Sequence, residues 1–120
     1  MKRIIVAMGI ALASTCIAAE SALEECAIVA TMANEMMQAR QDGAPMAQII
    51  TAYTFPDDAE GRAGKELYEN MVIEAYSRRR AHTDRNQTRL TEDFENDLYL
   101  SCIRELRGPA QDARLELNDK

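Results

Sequence analysis

Five arginines fall within twelve residues, Arg78, Arg79, Arg80, Arg85 and Arg89, with a single acid, Asp84, among them. Guanidinium forks suit carboxylates and phosphates, so this stretch is the leading candidate for an anion site or a patch for an acidic partner. The plainer alternative is that these cations complement helix ends and pair with nearby acids. Arg85 and Arg89 stand four apart and repel, so a helix there gains nothing locally from them. His82 is the single histidine. To act as a catalytic base it would need a nucleophile and an orienting carboxylate. Ser77, Thr83 and Asp84 are near in sequence, but no nucleophile motif surrounds them, and a solvated loop histidine is the expectation.

Glu92, Asp93, Glu95 and Asp97 form an acidic run. The spacing of Asp93, Glu95 and Asp97 suggests a calcium loop, which also needs Gly at its sixth position and Glu at its twelfth. Leu98 and Arg104 stand there instead, so the run is expected to be a solvated helix face. Paired carboxylates also serve glycoside hydrolysis, but that chemistry needs a cleft. Met32, Met36, Met37, Met46 and Met71 are suited to gap-filling in a small core; lining an adaptable groove or holding soft copper is the alternative. No glycine-rich phosphate loop and no dinucleotide fingerprint is present. No metal, no cofactor and no catalytic residue is therefore assigned.

The N-terminus is Met1-Lys2-Arg3 followed by an uncharged run from Ile4 to Ala19. A basic start, an apolar stretch and small residues at a cut site make a secretory signal peptide, residues 1–18, with cleavage after Ala18 or Ala19. The run is short beside the ~20 residues of a spanning helix. Leu12-Ala13-Ser14-Thr15-Cys16 is a weak alternative, a lipoprotein box that would place a lipid on Cys16. Export to the periplasm or beyond is expected. Loss of Lys2 and Arg3 with the leader takes the formal charge from -6 to -8, since every acid lies at Glu20 or later. That acidity argues against nucleic-acid binding.

Cys26 and Cys102 remain after cleavage. Two thiols in an oxidising compartment pair by default, which predicts one disulfide. Two separate buried thiols are the alternative, and a metal site lacks the ligand number and spacing.

The elements that must position these groups are helical. Ser21-Ala22-Leu23-Glu24 is a capping box, and Ala22, Cys26, Val29, Ala30, Ala33, Met36 and Met37 follow helical spacing. A first helix over about 22–41, stopped by Gly43, is predicted. A short second helix spans about 45–54, with Pro45 in its first turn. A third starts near Asp57 or Asp58, is weakened by Gly61 and Gly64, and runs through 79 with Arg78-Arg79-Arg80 on its C-terminal end. Leu67, Tyr68, Met71, Val72, Ala75 and Tyr76 form its apolar side. Thr83 caps a fourth, whose stripe is Leu90, Phe94, Leu98 and Cys102 and whose end is Gly108-Pro109. No stretch alternates as a strand does. The chain is thus read as all-α, a bundle of three to four helices stapled by one disulfide, with a helical domain over 19–108 and a flexible polar tail over 109–120.

Cys26, the segment from Ala39 to Met46, Ala75-Tyr76, Thr83 with Asn86-Gln87, and the segment from Phe94 to Cys102 form an ordered pattern. It resembles a loose group of small uncharacterised exported proteins of proteobacteria and their phages, over about Cys26 to Cys102. The resemblance implies export and paired cysteines. It brings no activity or ligand, so no functional residue carries over. Where the group often has a proline soon after Ala-Tyr, this chain has Ser77-Arg78-Arg79-Arg80-Ala81. The function expected is binding or regulation of another envelope component, a protein, without catalysis. A binder of an anionic small molecule or lipid head group is one alternative, and a minor envelope-polymer hydrolase another.

Overall fold

A computed structural model describes the backbone of residues 14–108 and the side chains of residues 20–108. Within it four α-helices follow one another: α1 (Ser14–Asp42), α2 (Met46–Ile50), α3 (Ala59–Ser77) and α4 (Asp84–Arg107). The described residues contain no strand, and no helix there is long and apolar enough to cross a membrane. The expected leader lies largely outside the described residues, and the expected tail over 109–120 lies wholly outside them.

The core is built on one side of α1. Cys26, Ala30, Ala33, Met36 and Met37 are buried, as their spacing requires, and they meet Tyr68, Met71, Val72 and Ala75 of α3 and Phe94 of α4. Five methionines frame this interior, Met36, Met37 and Met71 buried and Met32 and Met46 packed partly against them. A thioether chain is flexible enough to fill the irregular space between three helices of unequal length. The most extensive packing joins α1 to α4. Cys26 and Cys102 are bonded, with 5.6 Å between their Cα atoms, and so tie the first long helix to the last.

The helix ends follow local chemistry. Gly43 has φ +87°, a conformation that side chains rarely adopt. Its N–H donates to the Arg40 carbonyl at 3.2 Å, and Ala44 donates to Ala39 at 2.9 Å, the paired bonds of a Schellman stop. Asp58 caps α3 by accepting from the Gly61 amide at 2.7 Å. Thr83 caps α4 by accepting from the Asn86 amide at 3.3 Å. Gly61, expected only to weaken α3, is there for space: a Cβ would stand 2.0 Å from the Pro56 carbonyl oxygen.

Four expectations need correction. The helix expected over about 22–41 is already formed at Ser14 and runs to Asp42; residues 14–20 hold no proline or glycine to stop it. α2 ends at Ile50 rather than near 54, where Thr51 turns its hydroxyl back onto the Ala47 carbonyl at 2.8 Å and a pre-proline residue follows soon after. Tyr53 therefore lies beyond the helix, with its ring 5.1 Å from that of Tyr68, edge to face. α3 ends at Ser77, so Arg78-Arg79-Arg80 lie in the linker to α4 and not on a helical turn. Leu67, expected on the apolar side of α3, is 47% exposed, because among the described residues no other helix covers that flank.

Candidate functional site

The six-residue linker from Arg78 to Thr83 is where the predicted cations gather, and the residue that organises it is Gln41. This side chain is 2% exposed. Its Nε2 donates to the Arg79 carbonyl at 3.2 Å, and its Oε1 accepts from the Ala81 amide at 2.8 Å. The Gln41 backbone carbonyl, one of the unpaired acceptors at the end of α1, accepts from Arg80 Nε at 3.3 Å and Nη2 at 3.1 Å. Arg40 Nε donates to the Arg78 carbonyl at 3.3 Å, and its guanidinium lies 5.1 Å from the Tyr76 ring centre. The linker is thereby tied, residue by residue, to the C-terminal end of α1.

The five predicted arginines separate into two kinds of environment. Arg78 is engaged: it pairs with Asp97 at 3.0 Å and Glu74 at 3.4 Å, and its guanidinium lies 4.9 Å from the centre of the Phe94 ring. The dipole role expected of the triplet at the end of α3 is instead performed by Arg80 at the end of α1. Arg79, Arg80 and Arg89 line a groove of about 280 Å³ together with His82, Asn86 and Leu90. Arg85 does not line it. Among the described residues no carboxylate lies within ion-pair distance of Arg79, Arg80, Arg85 or Arg89. The predicted cations are therefore brought together in part, as three arginines and the histidine around one opening.

A second cavity, about 420 Å³, opens on the other flank of α4, where Asn34, Gln38, Asp42, Asp84, Thr88 and Glu92 are among its lining residues. The first turns of α4 thus stand between a cationic groove and a polar, acidic one. The rest of the acidic run serves the fold: Glu95 accepts from Asn34 Nδ2, and Asp97 holds Arg78. Among the described residues no group of His, Cys, Asp or Glu is placed to hold a metal ion. An apolar recess of about 160 Å³ lies between α1 and the α2 segment, lined in part by Met32, Met36, Ile49 and Tyr53 and closed by Tyr68 of α3.

Two tyrosines close the linker side of the core. Tyr68 donates its hydroxyl to the Ile49 carbonyl and Tyr76 to the Ala44 carbonyl, the latter at 2.6 Å. Desolvation by burial raises the pKa of both above the usual value, with Tyr53 and Tyr76 adding to the rise at Tyr68 and Arg40 opposing it at Tyr76.

Sequence reasoning missed Gln41, Arg40 and the Asn34–Glu95 bond. One signal was present for Gln41: it continues the row Ala33, Met37 by a further step of four, placing an amide on the buried stripe. Nothing comparable marked Asn34 or Arg40. Comparison with protein-family models, with curated proteins and with solved structures finds no match to this chain.

Proposed function

We propose that this chain is an exported binding module that engages another component of the envelope, a protein with an acidic surface or segment, and that it performs no catalysis itself. The observation that carries the reading is the groove at the α3–α4 corner. Arg79, Arg80, Arg89 and His82 share one opening, and no described carboxylate neutralises those arginines. The surrounding chain is acidic, with a formal charge of -6. Around that corner the sign of the surface is reversed. Salt screens beyond ~8 Å at physiological ionic strength, so the net charge is largely damped and a partner at close range is governed by the local cations.

Export is supported by the leader pattern, by the likeness to small exported proteins and by the Cys26–Cys102 bond, since disulfides persist in oxidising compartments. The linker is held rigid against α1, which suits a docking surface. The test is association kinetics with the partner captured from the exported fraction. Replacement of Arg79, Arg80 and Arg89 by Gln is expected to slow association and flatten its salt dependence. An unchanged rate and unchanged salt dependence would remove the corner from the interface.

A further inference from the structure

The three arginines of the groove are not equivalent. Arg80 is fixed before any ligand arrives. A guanidinium has five N–H donors, and in Arg80 the Nε and Nη2 edge is committed to the Gln41 carbonyl at 3.3 and 3.1 Å. Among the described residues Nη1 donates to no partner, which leaves that end to meet an anion. That carbonyl belongs to a residue whose own side chain is clamped by the Arg79 carbonyl and the Ala81 amide, so the guanidinium is presented on a rigid mount. A prefixed rotamer reduces the entropy lost on binding.

Arg79 adjoins Arg80 in the linker and Arg89 comes from α4, so the groove draws its cations from two elements. Three guanidinium groups around one opening carry more positive charge than one compact phosphate balances, whereas a chain carrying several carboxylates matches it. The start of α4 is also a poor phosphate site. Asp84 occupies its first turn, and the Thr83 hydroxyl already accepts from the Asn86 amide, one of the donors a phosphate would use. Leu90 gives the groove one apolar surface, a match for the methylenes of glutamate. A volume of about 280 Å³ takes side chains and not a folded element.

We propose that the groove grips a glutamate-rich, extended segment of the partner, with Arg80 as the fixed anchor and Arg79 and Arg89 as the flanking contacts. This rests on the acidic-partner reading above and narrows it. Across α4, Asp42, Asp84 and Glu92 line the other cavity; they repel the same segment and confine it to the cationic flank. Arg78 takes no part, because Asp97 and Glu74 hold it, and Arg85 takes none, because it does not line the groove.

The test uses the full exported chain with its disulfide intact and a fluorescent octaglutamate peptide as probe. Arg79→Gln and Arg89→Gln are each expected to weaken binding about fivefold, the effect of an exposed charged contact. Arg85→Gln and Arg78→Gln are expected to leave the affinity within about twofold. Arg80→Lys keeps the charge but loses the fork, and is expected to weaken the peptide without loss of helical circular dichroism. Equal losses from Arg85→Gln and Arg89→Gln would overturn the proposal in favour of diffuse attraction. Tighter binding of inorganic phosphate, or of phosphatidylglycerol vesicles, than of the peptide would overturn it in favour of a small anion or a head group. If the triple Gln variant loses the captured partner while Arg79→Gln and Arg89→Gln leave octaglutamate binding unchanged, the corner interface stands and the glutamate grip falls. If octaglutamate follows the expected order while partner capture is unaffected, the grip stands and the partner reading falls.

Discussion

Gln41 sits where α1 ends, and with one side chain it satisfies a carbonyl and an amide of the linker. Buried polar groups deprived of partners each cost about 1–3 kcal/mol. Gln41→Ala strands the Arg79 carbonyl and the Ala81 amide together and is expected to lower stability by about 2–3 kcal/mol, measured by urea unfolding. Gln41→Glu is a sharper variant, since it keeps an acceptor for Ala81 but offers the Arg79 carbonyl no donor. The tyrosines give a pH signature. Their folded pKa values lie above the usual 10.0, so the native state holds these protons after the unfolded chain has released them. Stability is then undiminished below about pH 10 and falls as pH rises through the folded values. Unfolding midpoints followed from pH 8 to pH 11 are expected to drop steeply at the upper end, and less steeply in Tyr76→Phe.

At the scale of the elements, the strongest single constraint is the bond between Cys26 and Cys102, which lie 76 positions apart. Closing a loop of that length stabilises a domain by about 4.5 kcal/mol in the chain-entropy treatment, and often by less. Reduction under native conditions is expected to lower the melting temperature by more than 10 °C, by roughly 5 °C for each kcal/mol, while leaving the helix content below the transition nearly unchanged. The helices themselves were legible because each carries local signals: the apolar row of α1, the Gly43 stop, and the Asp58 and Thr83 caps. What was not legible depended on distant partners. The early end of α2 follows from a threonine folding back on the helix. The exposure of Leu67 follows from the absence of a covering helix among the described residues, which periodicity does not encode. The arginine-rich stretch was visible as a cluster, but its division into engaged Arg78 and groove-lining Arg79, Arg80 and Arg89 was not. That division depends on Asp97, Phe94 and Gln41, none of which is near in sequence.

For the whole molecule, the groove and the net charge act over different distances. At ~0.01 M salt the screening length is ~30 Å and an acidic ligand feels the entire chain, which repels it. At ~0.15 M it is ~8 Å and the local arginines prevail; at ~1 M it is ~3 Å and neither is felt. Association with octaglutamate is therefore expected to be fastest at intermediate salt, a maximum that stopped-flow measurements across ionic strength will show. A monotonic decline would mean that the net charge is not felt at the groove.

The bond between α1 and α4 also decides where mechanical load can travel. A pull applied to the chain on either side of it passes from α1 through Cys26 and Cys102 directly into α4, and everything between those positions carries no tension. The linker, Gln41 and the arginine groove all lie inside this shunted loop. Under oxidising conditions a stretched molecule would lengthen only by its outer segments and keep its groove intact. Once the bond is reduced, roughly 250 Å of hidden length becomes available, at ~3.4 Å for each extended residue. Force spectroscopy on the oxidised and reduced chain is expected to differ by that length, so the same covalent link that holds the bundle together makes the corner indifferent to strain on its ends.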